Sequence, residues 1–147
     1  MRVLAVDLGE RRIGLAVSDE LGITAKPLYT IESRGYRADA TRVAEVARAQ
    51  GAGAILVGLP LHLSGESSPL AKRARRFAKA LRAVTDLSVE MWDERLSTVE
   101  AERVLMEAGI TRGRRRDRID AAAAAVILQS YLDRSNPPSR PSPEEAG

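Results

Sequence analysis

Four acidic side chains in this chain stand at the ends of apolar segments, where a carboxylate has most scope to do chemistry. Asp7 closes the run VLAV and is followed by Gly9 and Gly14 within VDLGERRIG. A lone charge at the end of a core strand is costly unless it is paired, hydrated or bound to a metal. The glycines beside it leave room for a ligand or a second backbone to come close. A strand-end aspartate bonding its own turn is the plainer reading of this residue taken alone. In VEMWDERLST, Asp93 and Glu94 are adjacent. Alternation along a strand puts Asp93 on the face of Leu87, Val89 and Met91, and Glu94 on the face of Trp92, so one of the two can serve a shared site. Acids here also favour the positive end of the helix that follows. Asp120 lies on the first turn of the last helix, in RIDAAAAAVILQSYL. Asp117 is the better N-cap, which leaves Asp120 on the flank of Ala124, Ile127 and Leu128.

The chain has no cysteine and one histidine, His62. Disulfides, thiolate nucleophiles and imidazole clusters are therefore excluded, and a metal held by this chain sits on oxygen donors, which suits Mg²⁺ or Mn²⁺. Three acids brought together from a central strand, a second strand end and a helix start could hold two such cations about 4 Å apart, the arrangement that hydrolyses phosphodiesters. On this reading Asp7 is tolerated where it stands because it is a metal ligand.

The formal net charge is +3, and the excess is local. Residues 67–118 carry 13 basic and 8 acidic groups. Lys72, Arg75, Arg76 and Lys79 recur along one helical stripe, and the turn TRGRRRDR gathers Arg112, Arg114, Arg115, Arg116 and Arg118 two residues short of Asp120. A solvated face accounts for the first group; the second would guide a polyanion to the acids. Aromatic residues make up 3% of the chain, too few for a base-stacking platform, so backbone and shape recognition is expected. Gly65 gives the segment LHLSGESS mobility, and His62 reads as a loop residue.

These residues need a scaffold. At 147 residues, 44% hydrophobic and 29% charged, the chain reads as one soluble domain, with no run long enough to span a bilayer and no secretory leader. A cytoplasmic location is expected. Residues 2–7, 12–19 and 24–31 predict three strands in a meander, followed by a helix over 38–49 with Ala40, Val43, Ala44, Val46 and Ala47 inward. A strand over 54–59, apolar on both faces, follows. Ser68 and Pro69 cap a helix to about 83 with Leu70, Ala74, Phe77, Ala78 and Leu81 inward. A strand over 87–92, a helix opened by the Ser97/Glu100 capping box and ended at Gly109, and a last helix over 118–133 complete the order. The result is an α/β fold: a mixed five-stranded sheet, its first strand central, with helices on both faces. One domain is expected over 1–133, with a disordered Pro/Ser-rich tail over 134–147.

Four segments in order, VDLGERRIGLAVSD, AILVGLPLHLSGESSPLAKRARRFAKAL, WDERLSTVEA and RIDAAAAAVILQSYL, resemble successive blocks of the YqgF/RuvX family over about residues 2–133. The resemblance implies a ribonuclease H-like fold with strand order 3-2-1-4-5 and a catalytic, metal-binding triad of Asp7, Glu94 and Asp120, choosing Glu94 over Asp93. It gives Arg95 a phosphate contact or the task of orienting Glu94, and puts Arg118 where the family usually has lysine. The wider resolvase group carries an acid on the fourth strand, whereas GLPL offers none, so Glu94 must reach in from the fifth. The implied activity is a Mg²⁺- or Mn²⁺-dependent nuclease of structured RNA that trims the 5′ end of the 16S rRNA precursor. Its implied partners are precursor rRNA and ribosomal particles, with Lys72, Arg76, Arg95 and the 112–118 arginines touching nucleic acid. A resolvase of branched DNA and a non-catalytic ribosome- or transcription-associated binding protein are the alternatives. The sequence shows no obvious dimer interface and leaves the oligomeric state open. The segment from Asp7 to Gly14 also resembles the first phosphate loop of actin-like and sugar-kinase ATPases, whose second domain 147 residues would not accommodate.

Overall fold

The computed structural model describes residues 1–60, 68–97, 99–107 and 116–135, with the backbone alone for 99, 100, 102, 104 and 116–120. The first two strands, β1 (Arg2–Leu8) and β2 (Arg12–Ser18), pair antiparallel through a tight turn at Gly9. There the Gly9 amide donates to the Arg12 carbonyl at 2.8 Å. A Cβ on Gly9 would lie 2.9 Å from that same oxygen, so the turn admits only glycine. Strand β3 (Ala25–Glu32) continues the meander. The helix α1 (Tyr36–Ala49), strand β4 (Ala52–Leu59), helix α2 (Pro69–Val84) and strand β5 (Ser88–Asp93) then add two strands parallel to β1 on its other side. Sheet order is β3-β2-β1-β4-β5, so β1 is central, as the sequence pattern requires.

Each face of the sheet has its own core. On one, Leu4, Val6 and Leu8 of β1 meet Val43 of α1 and Phe77 and Leu81 of α2. On the other, Val3 and Ala5 of β1 and Leu56 of β4 meet Ala101 and Leu105 of α3 (Val99–Glu107) and Ala124 and Leu128 of α4 (Arg116–Ser135). Ala121, Ala122, Ala124 and Ala125 are all buried, and their small side chains let α4 lie close against β1, β2 and β3. The Ser68 hydroxyl accepts from the Ala71 amide at 3.1 Å, the expected cap of α2, with Pro69 in the first turn.

Several boundaries differ from the sequence pattern. Leu70 is half-buried rather than inward. β5 runs one residue later than expected, through Asp93, and a one-turn 3-10 helix over Glu94–Leu96 follows it. α4 begins at Arg116 and ends at Ser135, two residues beyond the expected helix at each end. Its last turn is tied to the sheet: Trp92 of β5 meets Tyr131 edge to face at 5.3 Å, and the Arg134 guanidinium lies 5.8 Å above the same indole. Ser97 closes the 3-10 turn, its amide donating to the Glu94 carbonyl at 3.0 Å; the Glu100 side chain of the expected capping box, His62, Gly65, Gly109 and the segment 136–147 fall outside what is described.

Candidate active site

Strand alternation lines up one row of positions across the C-terminal edge of the parallel strands. Along β1, Val3 and Ala5 face the α4 core, and Asp7 is the next residue of that row. Along β4, Ala54 and Leu56 face α4, and Gly58 continues them. Along β5, Trp92 packs toward α4 and pairs with Gly58, and Glu94 is the next in step. Leu87, Val89 and Met91 pack on the opposite face. Asp93 therefore ends a different row from Glu94, as alternation requires.

Glu94 closes the distance between β5 and β1. Its side chain passes over Gly58, with Oε1 3.0 Å and Cγ 3.4 Å from the place a Cβ would take there, and its carboxyl is hydrogen-bonded to Asp7. Burial first, then the Asp7 hydrogen bond, then the like charges of Asp7 and Asp93, push the Glu94 carboxyl from its ordinary 4.5 up to about 8. At neutral pH a carboxyl raised this far keeps its proton beside the Asp7 side chain.

Asp93 has a different task. Its carboxylate accepts from the Arg95 amide at 2.9 Å and from the Arg95 guanidinium, at 2.9 and 3.0 Å through Nε and 2.7 Å through Nη2. The Arg95 side-chain hydrogen bond, outweighing desolvation, lowers its pKa. The guanidinium thus grips the carboxylate next to Glu94 and fixes the 3-10 turn on which Glu94 is carried.

Asp120, expected on the first turn of α4, lies on the backbone of its second turn because the helix starts at Arg116. It stands two turns before Ile127, whose Cδ1 is 3.0 Å from the same Cβ position over Gly58. Its side chain is outside the described residues, as are those of Arg116 and Arg118, while Arg112, Arg114 and Arg115 lie outside altogether. Among the described residues no three of His, Cys, Asp or Glu form a metal-holding group; Asp7 and Glu94 are the part of the expected triad that the structure brings together. Lys72, Arg75, Arg76 and Lys79 are exposed along α2, which packs on the sheet face opposite that of the Asp7/Glu94 pair.

Sequence reasoning passed over two residues. Arg73 sits inside the basic stripe but turns inward: Nη1 donates to the carbonyls of Gly9 and Glu10, the latter at 2.9 Å, and Nη2 to the Ser33 hydroxyl at 3.0 Å. The Ser33 hydroxyl in turn donates to Asp39 at 2.6 Å. This network fastens the turn that follows Asp7, and its only signal in sequence is that position 73 lies one turn before the inward Phe77. Gly58 is the other, signalled by the missing acid in GLPL.

A family model described as RuvX, Holliday junction resolvase, matches residues 1–134. Proteins named "Putative pre-16S rRNA nuclease" are 47% identical over 141 residues in Pelotomaculum thermopropionicum, covering 95% of this chain and 92% of that protein, and 50% identical over 133 residues in Symbiobacterium thermophilum, covering 90% and 92%. A third so named, from Myxococcus xanthus, is 45% identical over 138 residues, covering 94% and 91%. Among solved structures, Thermus thermophilus RuvC in complex with a Holliday junction substrate superposes with a TM-score of 0.62 at 20% identity, over 92% of this chain and 97% of that one. The fowlpox virus resolvase bound to Holliday junction DNA gives 0.57 at 15%, over 92% and 99%. At these identities the two structures bear on the fold, which is the ribonuclease H-like one.

Proposed function

The chain belongs to the RuvX family, and from that premise we propose that it is a divalent-metal-dependent nuclease that hydrolyses phosphodiester bonds in structured RNA, trimming the 5′ end of the 16S rRNA precursor. The observation that carries this reading is the Glu94 carboxyl brought against Asp7 across an intervening strand, where its raised pKa holds a proton. Two carboxyls packed so closely want a positive charge between them, and a cation takes the place of that proton with larger effect. With no cysteine and one histidine, the donors are oxygens, which fit Mg²⁺ or Mn²⁺. When bound, such a cation supplies the charge that polarises the phosphoryl oxygen and lowers the pKa of an attacking water.

The protein's own part is placement. Asp7 is rigid because β1 is hydrogen-bonded on both sides and the turn after it is clamped by Arg73. Glu94 is held by the turn that Asp93 and Arg95 close. Asp120 is the third ligand in this proposal, supplied by α4. Arg95, Lys72, Arg76 and the arginines at 112, 114, 115, 116 and 118 are its nucleic-acid contacts, reading backbone charge rather than bases. The nuclease domain is residues 1–133 in this reading, with the helix carried to Ser135 and the Pro/Ser-rich segment as an appended tail. No described helix is long and apolar enough to cross a membrane. Work on a ribosomal precursor places the protein in the cytoplasm with ribosomal particles as partners.

The test is to incubate the protein with Mn²⁺ or Mg²⁺ and either a transcript carrying the 5′ extension of the small-subunit rRNA or a four-way DNA junction. Cleavage of the transcript, abolished by Asp7→Asn and by chelation, supports the proposal. Junction cleavage with an intact transcript would replace RNA by branched DNA, and no cleavage of either would leave a binding protein.

A further inference from the structure

We infer that Gly58 is a positioning residue of this site: the bare Cα of β4 is the passage through which Glu94, rooted beyond β5, reaches Asp7 on β1. The inference rests on the carboxylate-site reading above and adds to it the residue that lets the site form. β1 and β5 are not neighbours; β4 lies between them, which separates their axes by about two strand spacings of roughly 4.8 Å each. The Glu94 side chain bridges that gap on the α4 face, directly over position 58.

The space above Gly58 is filled from two sides. A Cβ there would stand 3.0 Å from Glu94 Oε1, 3.4 Å from Glu94 Cγ and 3.0 Å from Ile127 Cδ1. Ile127 is a buried residue of α4, so Glu94 has helix above it and strand below. It cannot rise over an added methyl without disturbing the α4 core. Glycine is not demanded by the backbone at this position. Among the described residues the positive-φ glycines are Gly22, Gly35 and Gly51, and Gly58 lies inside a regular parallel ladder where β-branched residues ordinarily do better. Space is what requires glycine here. A shift of a few tenths of an ångström is easily absorbed by packing, but metal–ligand distances are held to about 0.2 Å. The fourth strand therefore contributes an opening where an acid would otherwise stand, and the fifth supplies the acid.

Mn²⁺ affinity of the full-length protein, read by calorimetry, tests this apart from activity. Gly58→Ala should weaken binding by about 10- to 100-fold, the usual effect of disturbing a group that supports a ligand, while the far-ultraviolet circular dichroism stays that of the wild type. In a Glu94→Gln background the same substitution should change affinity little, because the ligand it displaces is already gone. Glu94→Asp, one methylene shorter and unable to cross β4, should lose affinity comparably; this variant carries the test if Gly58→Ala does not fold. Wild-type affinity in Gly58→Ala or in Glu94→Asp overturns the inference. So does an equal loss in the Glu94→Gln background, which would assign the effect to helix packing. If Glu94→Gln alone binds Mn²⁺ as the wild type does, the carboxylate site falls and the passage with it. If Glu94→Gln loses binding and Gly58→Ala keeps it, only the passage falls.

Discussion

Replacing Asp7 by asparagine should make the metal-free protein more stable at alkaline pH while removing its activity. Folding raises the Glu94 carboxyl from an ordinary 4.5 to about 8. Between those values the folded chain holds a proton that the unfolded chain has released, so stability falls as pH rises. Glu94's contribution is greatest below about 4.5, declines through the window and is lost above about 8. Unscreened, a rise of this size corresponds to about 5 kcal/mol. Glu94 is only partly buried, so solvent reduces the effect to about 2 kcal/mol. In a domain of this size that lowers the thermal midpoint by roughly 6 °C between pH 5 and pH 8.5. Asp7 supplies the second- and third-largest of the causes, the hydrogen bond and the nearest like charge, while burial and Asp93 remain. Asp7→Asn should therefore flatten the decline by about half and leave the variant about 1 kcal/mol more stable than the parent at pH 8.5. Differential scanning calorimetry in EDTA, at half-unit steps of pH, gives both curves. Parallel curves for wild type and variant would mean that Asp7 does not raise the Glu94 carboxyl, and the reasoning would fail.

Other consequences concern the same neighbourhood. Because a cation displaces the Glu94 proton, Mn²⁺ binding at pH 7 should release about one proton, and affinity should rise about tenfold per pH unit below 8. Calorimetry in two buffers of different ionisation enthalpy measures the release, and a value near zero would contradict the exchange. Arg73→Ala should cost about 1–3 kcal/mol, since it removes charged hydrogen bonds to the Gly9 and Glu10 carbonyls and to Ser33. It should also reduce kcat through the loosened turn; an unchanged kcat with a lowered melting point would restrict Arg73 to stability. Asp93→Ala should remove the Asp93–Arg95 clasp and lower activity by about tenfold, with little change in melting temperature because the pair is partly solvent-exposed and screened. Unchanged single-turnover rates would show that the turn needs no such clasp.

Much of the fold is readable from local pattern because its elements obey simple periods. Val3, Ala5 and Asp7 share a face for the same reason that Leu4, Val6 and Leu8 share the other, and Ser68 before Pro69 opens α2 where any such pair would. The site was legible in part. Asp7 declares itself as a charge at the end of a buried strand, and alternation separates Asp93 from Glu94. What no local pattern carries is the route by which Glu94 meets Asp7. That route depends on an absent side chain on a third strand, on a helix residue some thirty positions further along, and on a turn outside the strand period. Arg73 was hidden for a similar reason: in sequence it is one more base in a basic helix, and only the packing of α2 beside the β1–β2 turn gives it three acceptors. The end of α4 was misplaced because the prolines begin at 137 and the composition changes at 134, while the contact holding the last turn is with Trp92, distant in sequence.

A crystal of the protein grown with Mn²⁺, measured at a wavelength where manganese scatters anomalously, puts the central claim to its most direct trial. The account predicts an anomalous peak within about 2.0–2.4 Å of carboxylate oxygens from Asp7 and Glu94 together, with the hydrogen bond between them gone. Manganese elsewhere, or an Asp7–Glu94 hydrogen bond that persists at saturating metal, would contradict it.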